Sequence, residues 1–185
     1  IGALTSYECS ADAPILSAPC FRAVFEVNRE TTHATLAITG LGFYECHLNG
    51  SPISNRVLSP RCSKYDSRVW YDVYDISSLL RPGSNVLCVE LGNGLYNDTS
   101  NDAWNFSAAP WRDYPKLIAE LRDGDGRILL QSNSAWRYGT GPLIYDSLRN
   151  GEIYDARLKL PWQAPEFDDS DWKHAMVVPP PGGVL

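Results

Sequence analysis

The feature that most limits the fold of this chain is a series of short segments in which apolar and polar residues alternate. The clearest is FRAVFEV at 21–27, and HATLAITG at 33–40 repeats the pattern. The apolar side of the first segment consists of Phe21, Ala23, Phe25 and Val27. Such segments recur at near-regular spacing and end at glycine, proline or asparagine. This pattern predicts an all-β fold, an antiparallel β-sandwich or jelly roll.

Two of the breaks between these segments are typical hairpin turns. Asn49-Gly50 ends FYECHLNG, and the run 123–126, DGDG, separates PKLIAELRD from GRILLQS. Helix signals are few: DISSLL predicts one turn, capped by Asp75 or Ser77 and stopped by Pro82. SAWRYG, PLIYDS and IYDARL near the end of the domain are expected to be edge strands.

The pattern divides the chain into three parts. Residues 1–20 have no period and are expected to be an extended lead-in, and residues 21–160 form the sandwich. Residues 161–185 are a proline-rich tail or linker packed on the surface. Within the tail, FDDSDW at 167–172 predicts an Asx-type turn. We expect its two aromatic residues to fasten the tail to the sandwich.

Composition excludes several classes of function. The chain has 185 residues, enough for one domain, and a formal net charge of −6 with scattered basic residues. Without a basic cluster we expect neither nucleic acid nor an anionic membrane as partner. Its apolar runs are far shorter than the roughly 20 residues that a bilayer crossing needs. The first ten residues show no signal peptide, so a leader was removed or the chain is a piece of something longer.

The five cysteines are an odd set without a C-x-x-C pair. With three scattered histidines they do not have the spacing of a structural zinc site. We expect small buried residues or free thiols. A Cys9–Cys20 bridge is the alternative in an oxidising compartment.

The stretch 91–115, LGNGLYNDTSNDAWNFSAAPWRDYP, is unusually rich in rings, amides and carboxylates. Such groups bind sugars, with rings against the C–H faces and oxygens on the hydroxyls, and the same oxygens can hold Ca²⁺. The alternative is that the rings belong to the core and the Asn and Asp residues form turns. The rings are Tyr96, Trp104, Phe106 and Trp111, and the oxygen donors are Asn93, Asn97, Asp98, Asn101 and Asp102.

No nucleophile motif or phosphate loop is present, which weighs against an enzyme. The most suggestive carboxylates, Glu152 and Asp155, are expected to form an edge ion pair with Arg149 or Arg157 rather than a catalytic pair.

Taken in order, several segments resemble the N-terminal β-sandwich domain of bacterial α-L-rhamnosidases, glycoside hydrolase family 78. The resemblance covers roughly residues 20–175. The segments are FRAVFEV, ITGLGFYECHLNG, KYDSRVWYDVYDISSLL, ELGNGLYN, APWRDYPKLIAEL, GPLIYDSLRNGEIYDARL and FDDSDW.

The resemblance implies a jelly roll, similar to galactose-binding domains, placed ahead of a catalytic (α/α)₆ barrel that this chain lacks. The chain is then a non-catalytic accessory module, part of an exported hydrolase, that binds rhamnose or a rhamnosylated glycan weakly. Its expected sugar contacts are Glu45, Asn93, Asn97, Asp98, Trp104 and Trp111. Some relatives bind the sugar through calcium, for which Glu45, Asn93 and Asp98 are the residues to test.

Two other hypotheses stay open. A purely architectural domain, which docks and orients the barrel, predicts an apolar patch on one sheet face. A stand-alone hydrolase, ranked last, requires two carboxylates that face each other across a cleft.

Overall fold

The computed structural model describes residues 1–3, 17–29, 31–98, 100 and 105–185. Its strands are β1 (Pro19–Val27), β2 (Ala34–Leu41), β3 (Phe43–Leu48), β4 (Ser51–Pro52), β5 (Asp72–Asp75), β6 (Gly83–Gly92), β7 (Lys116–Asp123), β8 (Ile128–Gln131), β9 (Arg137–Thr140), β10 (Leu143–Ser147), β11 (Gly151–Tyr154) and β12 (Lys173–His174). They form a six-stranded sheet, β12-β9-β1-β6-β3-β4, and a four-stranded sheet, β5-β2-β7-β8. β10 and β11 make a separate hairpin. All named pairs are antiparallel, so the predicted all-β class is confirmed.

The apolar sides of the two sheets pack together as the main core. The alternation predicted for FRAVFEV is confirmed, because the four residues of its predicted apolar side are at most 8% exposed, whereas Val24 between them is 57% exposed. Burial of these side chains on both sheets is the main stabilising contribution to the fold. The core residues from the other central strands include Leu36 and Ile38 of β2, Tyr44 and Leu48 of β3, Leu87 and Val89 of β6, and Leu117 and Leu121 of β7.

Both predicted hairpin turns are confirmed. Asn49 and Gly50, between β3 and β4, have positive φ angles of 53° and 81°, as the tightest hairpin turns require. Between β7 and β8, the Asp123 carboxylate accepts the N–H groups of Asp125 and Arg127. Gly126 there has a φ of 81°.

The described residues contain only short 3₁₀ helices, at Ser77–Leu79, Phe106–Ala108 and Ala156–Leu158. The first is the turn predicted in DISSLL, where the Asp75 carboxylate accepts the Ser77 N–H at 3.0 Å. Among the described residues, no helix is long and apolar enough to cross a membrane.

The structure corrects the edge position predicted for one of the later strands, whereas β10 and β11 form a two-stranded sheet in which each is an edge strand. β9, from SAWRYG, is an inner strand that pairs with β1 on one side and with β12 on the other. β12 comes from the tail, more than thirty residues further along the chain. A local pattern therefore could not show that β9 has a second neighbour.

The tail crosses the outer face of the six-stranded sheet. We call residues 162–172 the tail strap. Its aromatic rings pack on Cys20, Val86 and Cys88, which point outward from β1 and β6. The Arg22 guanidinium, 1% exposed, donates to Asp169 Oδ2 at 3.0 Å and to the Phe167 carbonyl at 2.9 Å. The strap rings are Trp162, Phe167 and Trp172.

The turn predicted in FDDSDW is present within the strap. The Asp168 carboxylate accepts the Ser170 N–H at 2.9 Å, and the Trp172 N–H donates to the Asp169 carbonyl. Cys20, Cys46, Cys62 and Cys88 are free thiols, and Cys62 alone of these four is exposed. Cys9 lies outside the described residues.

Candidate functional site

The loop after β6 is connected to the β10–β11 hairpin by hydrogen bonds. The Asn93 backbone N–H donates to Asp146 Oδ1 at 2.7 Å, and Asn93 Nδ2 donates to Oδ2 at 2.9 Å. Asn97 Nδ2 donates to Asn93 Oδ1 at 2.7 Å, and Arg112 Nε donates to Asn97 Oδ1 at 3.3 Å. The expected sugar contacts Asn93 and Asn97 therefore lie together, with their amide groups engaged inside the protein.

Asp98 follows this network but is bonded within its own turn. Its Oδ1 accepts the Ser100 N–H at 2.9 Å and the Ser100 hydroxyl at 2.7 Å. The side chain is 2% exposed, and its Oδ2 has no hydrogen-bond partner among the described residues. In this arrangement Asp98 does not reach the solvent.

Two rings of the 91–115 stretch, Tyr96 and Trp111, pack on Tyr65, and Phe106 is partly buried in a 3₁₀ helix. Tyr96 is fully buried, and its ring lies 5.2 Å from that of Tyr65 in an edge-to-face arrangement. Trp111 is partly buried, 6.0 Å from Tyr65. Neither ring forms an exposed platform for a sugar. Trp104, together with Asn101 and Asp102, lies outside the described residues.

Glu45 lies elsewhere, on the outward side of β3. It borders a pocket of about 170 Å³ with His47, Arg56 and the rings of Tyr44 and Tyr74. Asn55, Ser54 and Ser59 complete its polar lining. This pocket collects a carboxylate, a guanidinium, an imidazole and a phenol within the volume of a small ligand. Glu45, Tyr44 and His47 lie on β3, whereas Arg56 comes from the segment after the hairpin turn and Tyr74 from β5, so the sequence did not group them.

The floor of this pocket is held by hydrogen bonds to Asp72. Tyr44 Oη donates to Asp72 Oδ2 at 2.8 Å, and Arg56 Nη1 lies 3.4 Å from Oδ1. His47 Nδ1 is buried without a hydrogen-bond partner among the described residues. Burial lowers the pKa of His47, against a smaller opposite effect of Glu45. The imidazole is therefore neutral near pH 7, with one nitrogen able to accept a hydrogen bond.

A second cavity, of about 370 Å³, lies beside Asn93 and Asp146. Tyr114, Tyr138 and Thr140 also line it. Glu45 and Asn93 thus border different cavities, so the sequence-based set of sugar contacts is divided between two places. The reason is that Glu45 is an outward residue within a strand, whereas Asn93 turns toward the β10–β11 hairpin at a strand end.

The three residues that the resemblance suggested as calcium ligands do not form one set of donors. Glu45 borders its own pocket, the Asn93 side-chain oxygen accepts from Asn97, and Asp98 Oδ1 accepts from Ser100. In the described parts of the chain, no group of three or more His, Cys, Asp or Glu residues could hold a metal ion. We therefore assign no chemistry to a metal here.

Acidic side chains gather on the outward side of β3 and β6. Glu45 and Glu90 are paired residues of these strands, and the Cys20 thiol lies 3.7 Å from Glu90 Oε1. Burial raises the pKa of Glu90 to about 7, and the charges of Glu45, Asp146 and Glu152 add to this shift. Burial likewise raises the pKa of Asp146.

The edge ion pair expected in RNGEIYDARL is confirmed for Asp155, whose Oδ2 lies 2.6 Å from Arg157 Nη2. Glu152 is on β11 and is exposed.

A two-sheet antiparallel sandwich defines the fold class of this chain, and the fold by itself does not define a role. At 15% identity, a lectin of Pleurotus ostreatus matches the fold alone, with a TM-score of 0.52. The family model "Alpha-L-rhamnosidase N-terminal domain" matches residues 29–185. The chain therefore belongs to the family of α-L-rhamnosidase N-terminal domains, as the resemblance in its sequence predicted.

The relatives are much longer than this chain. An α-L-rhamnosidase of Formosa agariphila is 34% identical over 172 residues, which cover 89% of this chain and 18% of the relative. The solved α-L-rhamnosidase of Dictyoglomus thermophilum is 39% identical, with a TM-score of 0.80 over 90% of this chain and 18% of the other. That of Streptomyces avermitilis, solved in complex with L-rhamnose, is 34% identical, with a TM-score of 0.77 over 85% and 16%. The chain thus spans less than a fifth of these relatives.

Proposed function

We propose that this chain is a non-catalytic accessory domain that binds L-rhamnose or a rhamnosylated glycan weakly, in the pocket beside Glu45. The observation that carries the proposal is that Glu45, Arg56 and His47 line one pocket of about 170 Å³. This volume is below the roughly 300–1,000 Å³ of pockets for drug-sized ligands, so the pocket would hold one small ligand at most. The Streptomyces avermitilis relative, whose structure holds L-rhamnose, supports the choice of sugar.

The groups in the pocket match the chemistry of a sugar. The Glu45 carboxylate accepts hydrogen bonds from hydroxyl groups, and the Arg56 guanidinium donates to their oxygens. The neutral His47 imidazole provides a further acceptor. The Tyr74 ring supplies an apolar surface for the C–H face of the sugar. An uncharged ligand with several hydroxyls satisfies all four groups. A charged ligand would be repelled by either the Glu45 carboxylate or the Arg56 guanidinium.

The test is a calorimetric titration of the chain with L-rhamnose, repeated with added calcium and with EDTA. We expect saturation in the millimolar range, equivalent to about −4 kcal/mol. E45Q and R56A are expected to abolish saturation, and E120Q, an exposed glutamate on the other sheet, serves as the matched control. Unchanged binding in E45Q and R56A would refute the assignment. Loss in N93A alone, with the fold intact by circular dichroism, would place the site in the 91–115 loop.

A second role, an architectural one, is favoured by a separate observation. The outward side of the four-stranded sheet carries exposed apolar residues beside polar ones, and we call it the open face. Its apolar residues are Ala37, Tyr71, Val73 and Ile118, and Thr35, Thr39, Glu120 and Arg122 share the same side. If the domain positions the remainder of a longer enzyme, its deletion from the parent polypeptide should lower the thermal stability of what remains. Unchanged unfolding after the deletion would contradict this role.

A further inference from the structure

Trp70 continues a row of side chains that begins at the pocket proposed for the sugar. Tyr74 borders this pocket, and Asp72 is the next residue on the same side of β5. Tyr71 and Val73 point the other way, to the open face, so Trp70 shares the side of Asp72 and Tyr74. Successive members of such a row are about 6–7 Å apart. A ligand that extends from the pocket along this row therefore reaches Trp70.

The row is connected to the pocket by hydrogen bonds to Asp72. The Tyr44 hydroxyl donates to Asp72 Oδ2 at 2.8 Å, and Arg56 Nη1 lies 3.4 Å from Oδ1. The Arg56 side chain lines the pocket as well. β5 is an edge strand of its sheet, so the row lies at the rim of the sandwich rather than deep between the sheets.

Trp70 offers an exposed aromatic surface together with a cation. The residue is 44% exposed, and the Arg68 guanidinium lies 5.5 Å from the centroid of its ring. Aromatic rings contact the C–H faces of sugars, and a guanidinium binds a carboxylate through two parallel hydrogen bonds. The two side chains thus combine the contacts that a sugar unit with a carboxylate requires.

The segment that carries Arg68 is basic, although the chain as a whole is acidic. Residues 54–70 contain four basic residues and one acidic residue, a formal charge of +3, whereas the rest of the chain contains 12 basic and 21 acidic residues, a formal charge of −9. The basic residues are Arg56, Arg61, Lys64 and Arg68, and all four are exposed. Arg56 is paired with Asp72 and Lys64 with Asp66, but Arg61 and Arg68 form no ion pair among the described residues. This segment therefore attracts a negatively charged ligand.

The distribution of charge suits a ligand with few and widely spaced charges. Nucleic acid, which carries a charge on every phosphate, is repelled by the acidic remainder of the chain. The two arginines without an ion pair match one or two carboxylates instead. The pocket itself suits a neutral unit, because it contains both the Glu45 carboxylate and the Arg56 guanidinium. A neutral sugar joined to an acidic one has this pattern.

We infer that Trp70 and Arg68 form a second sugar subsite, which takes a unit bearing a carboxylate and linked to the unit in the pocket beside Glu45. The inference rests on the proposed sugar binding and extends it, since it names the class of glycan as an acidic one that contains uronic acid. The ring of Trp70 contacts the acidic unit, and the Arg68 guanidinium binds its carboxylate.

The test is a calorimetric titration of the chain with L-rhamnose, with a disaccharide of L-rhamnose linked to a uronic acid, and with the carboxyl-reduced form of that disaccharide. We expect the acidic disaccharide to bind about three- to fivefold more tightly than the reduced one at low salt, as exposed ion pairs provide. At about 1 M salt, where the Debye length is about 3 Å, the preference should disappear.

Three variants assign the preference to the subsite. R68Q should remove the difference between the two disaccharides, whereas R127Q, at an exposed arginine in the turn between β7 and β8, should retain it. W70A should weaken the binding of both disaccharides by about two- to tenfold and leave the binding of L-rhamnose unchanged, because the ring contacts only the second unit.

The possible results separate this inference from the proposed function. Equal binding of the two disaccharides, with L-rhamnose still bound, would overturn the inference and leave the pocket in place. A preference for the acid that persists in R68Q would also overturn it, because the carboxylate would then bind elsewhere. Binding of poly-L-glutamate but of neither disaccharide, abolished in R68Q, would identify an acidic protein surface as the occupant instead. A preference that R68Q removes, without binding of L-rhamnose alone, would support the subsite and refute the pocket.

Discussion

The two sheets differ in what covers their outer sides. On the six-stranded sheet, the tail strap places Trp162, Phe167 and Trp172 over outward residues of β1 and β6. On the four-stranded sheet, the outward Tyr71, Val73 and Ile118 are about half exposed. Both outer sides carry apolar residues. On the four-stranded sheet the chain covers only one end, where Thr39 and Leu41 are buried.

The difference indicates that the strap belongs to the fold, whereas the open face is available for binding. The strap is held by a buried ion pair, Arg22 with Asp169, and by ring contacts, including Trp172 with Phe167 at 5.5 Å. The Trp172 ring also packs so closely on Gly139 that a Cβ there would lie 2.5 Å from it. Among the described residues, no ring packs on Ile118 in this way, and its side chain remains about half exposed.

The largest expected loss of stability comes from removing a ring of the tail strap. W162A removes a ring that is 3% exposed and should lower the free energy of unfolding by about 3–5 kcal/mol. W70A, at a tryptophan that is 44% exposed, should cost about 1 kcal/mol or less. Urea unfolding followed by circular dichroism measures both. Equal losses would mean that the strap contributes no more than an exposed ring.

The next effect concerns the buried acid on the covered sheet. The pKa of Glu90 is raised from 4.5 to about 7, so the folded state holds this proton more tightly than the unfolded state. Stability should therefore decrease as the pH rises from about 4.5 to about 7, by at most about 3 kcal/mol.

E90Q should remove most of this decrease in stability. Above pH 7, the E90Q variant should be more stable than the unsubstituted chain. The control is E120Q, on the open side, where Glu120 is exposed and paired with Arg122. Thermal unfolding measured from about pH 4 to about pH 8 compares the pH dependence of stability in E90Q, E120Q and the unsubstituted chain. An unchanged pH profile in E90Q would locate the effect in Asp146 instead.

The smallest expected effect concerns a valine-to-threonine substitution, made once under the strap and once on the open face. V86T buries a hydroxyl under the strap, where Val86 is 1% exposed, and should cost about 1–3 kcal/mol. V73T, on the open face, should change the stability of this chain by about 0.5 kcal/mol or less. Chemical unfolding of the two variants side by side measures both values. A loss in V73T as large as that in V86T would show that the open face is already packed against this chain.

Local patterns in the sequence were sufficient for the strands and turns. FRAVFEV alternates because side chains of a strand point to opposite sides, and the residues of its predicted apolar side are buried. Asn49-Gly50 forms a turn because these residue types tolerate positive φ, and FDDSDW turns because Asp168 bonds to its own backbone. These features depend on residues within a few positions of one another. The family, too, was recognisable from the order of the segments.

The grouping of side chains was decided only in three dimensions. Asn93 meets Asp146 across 53 positions, and Arg22 meets Asp169 across 147. Glu45 joins Arg56 and His47 in one pocket and is separated from Asn93, with which the sequence had grouped it. The pairing of distant strands places these residues, and no local period records that pairing. The same cause decides which outer side is covered, because the strap between β11 and β12 runs over the six-stranded sheet.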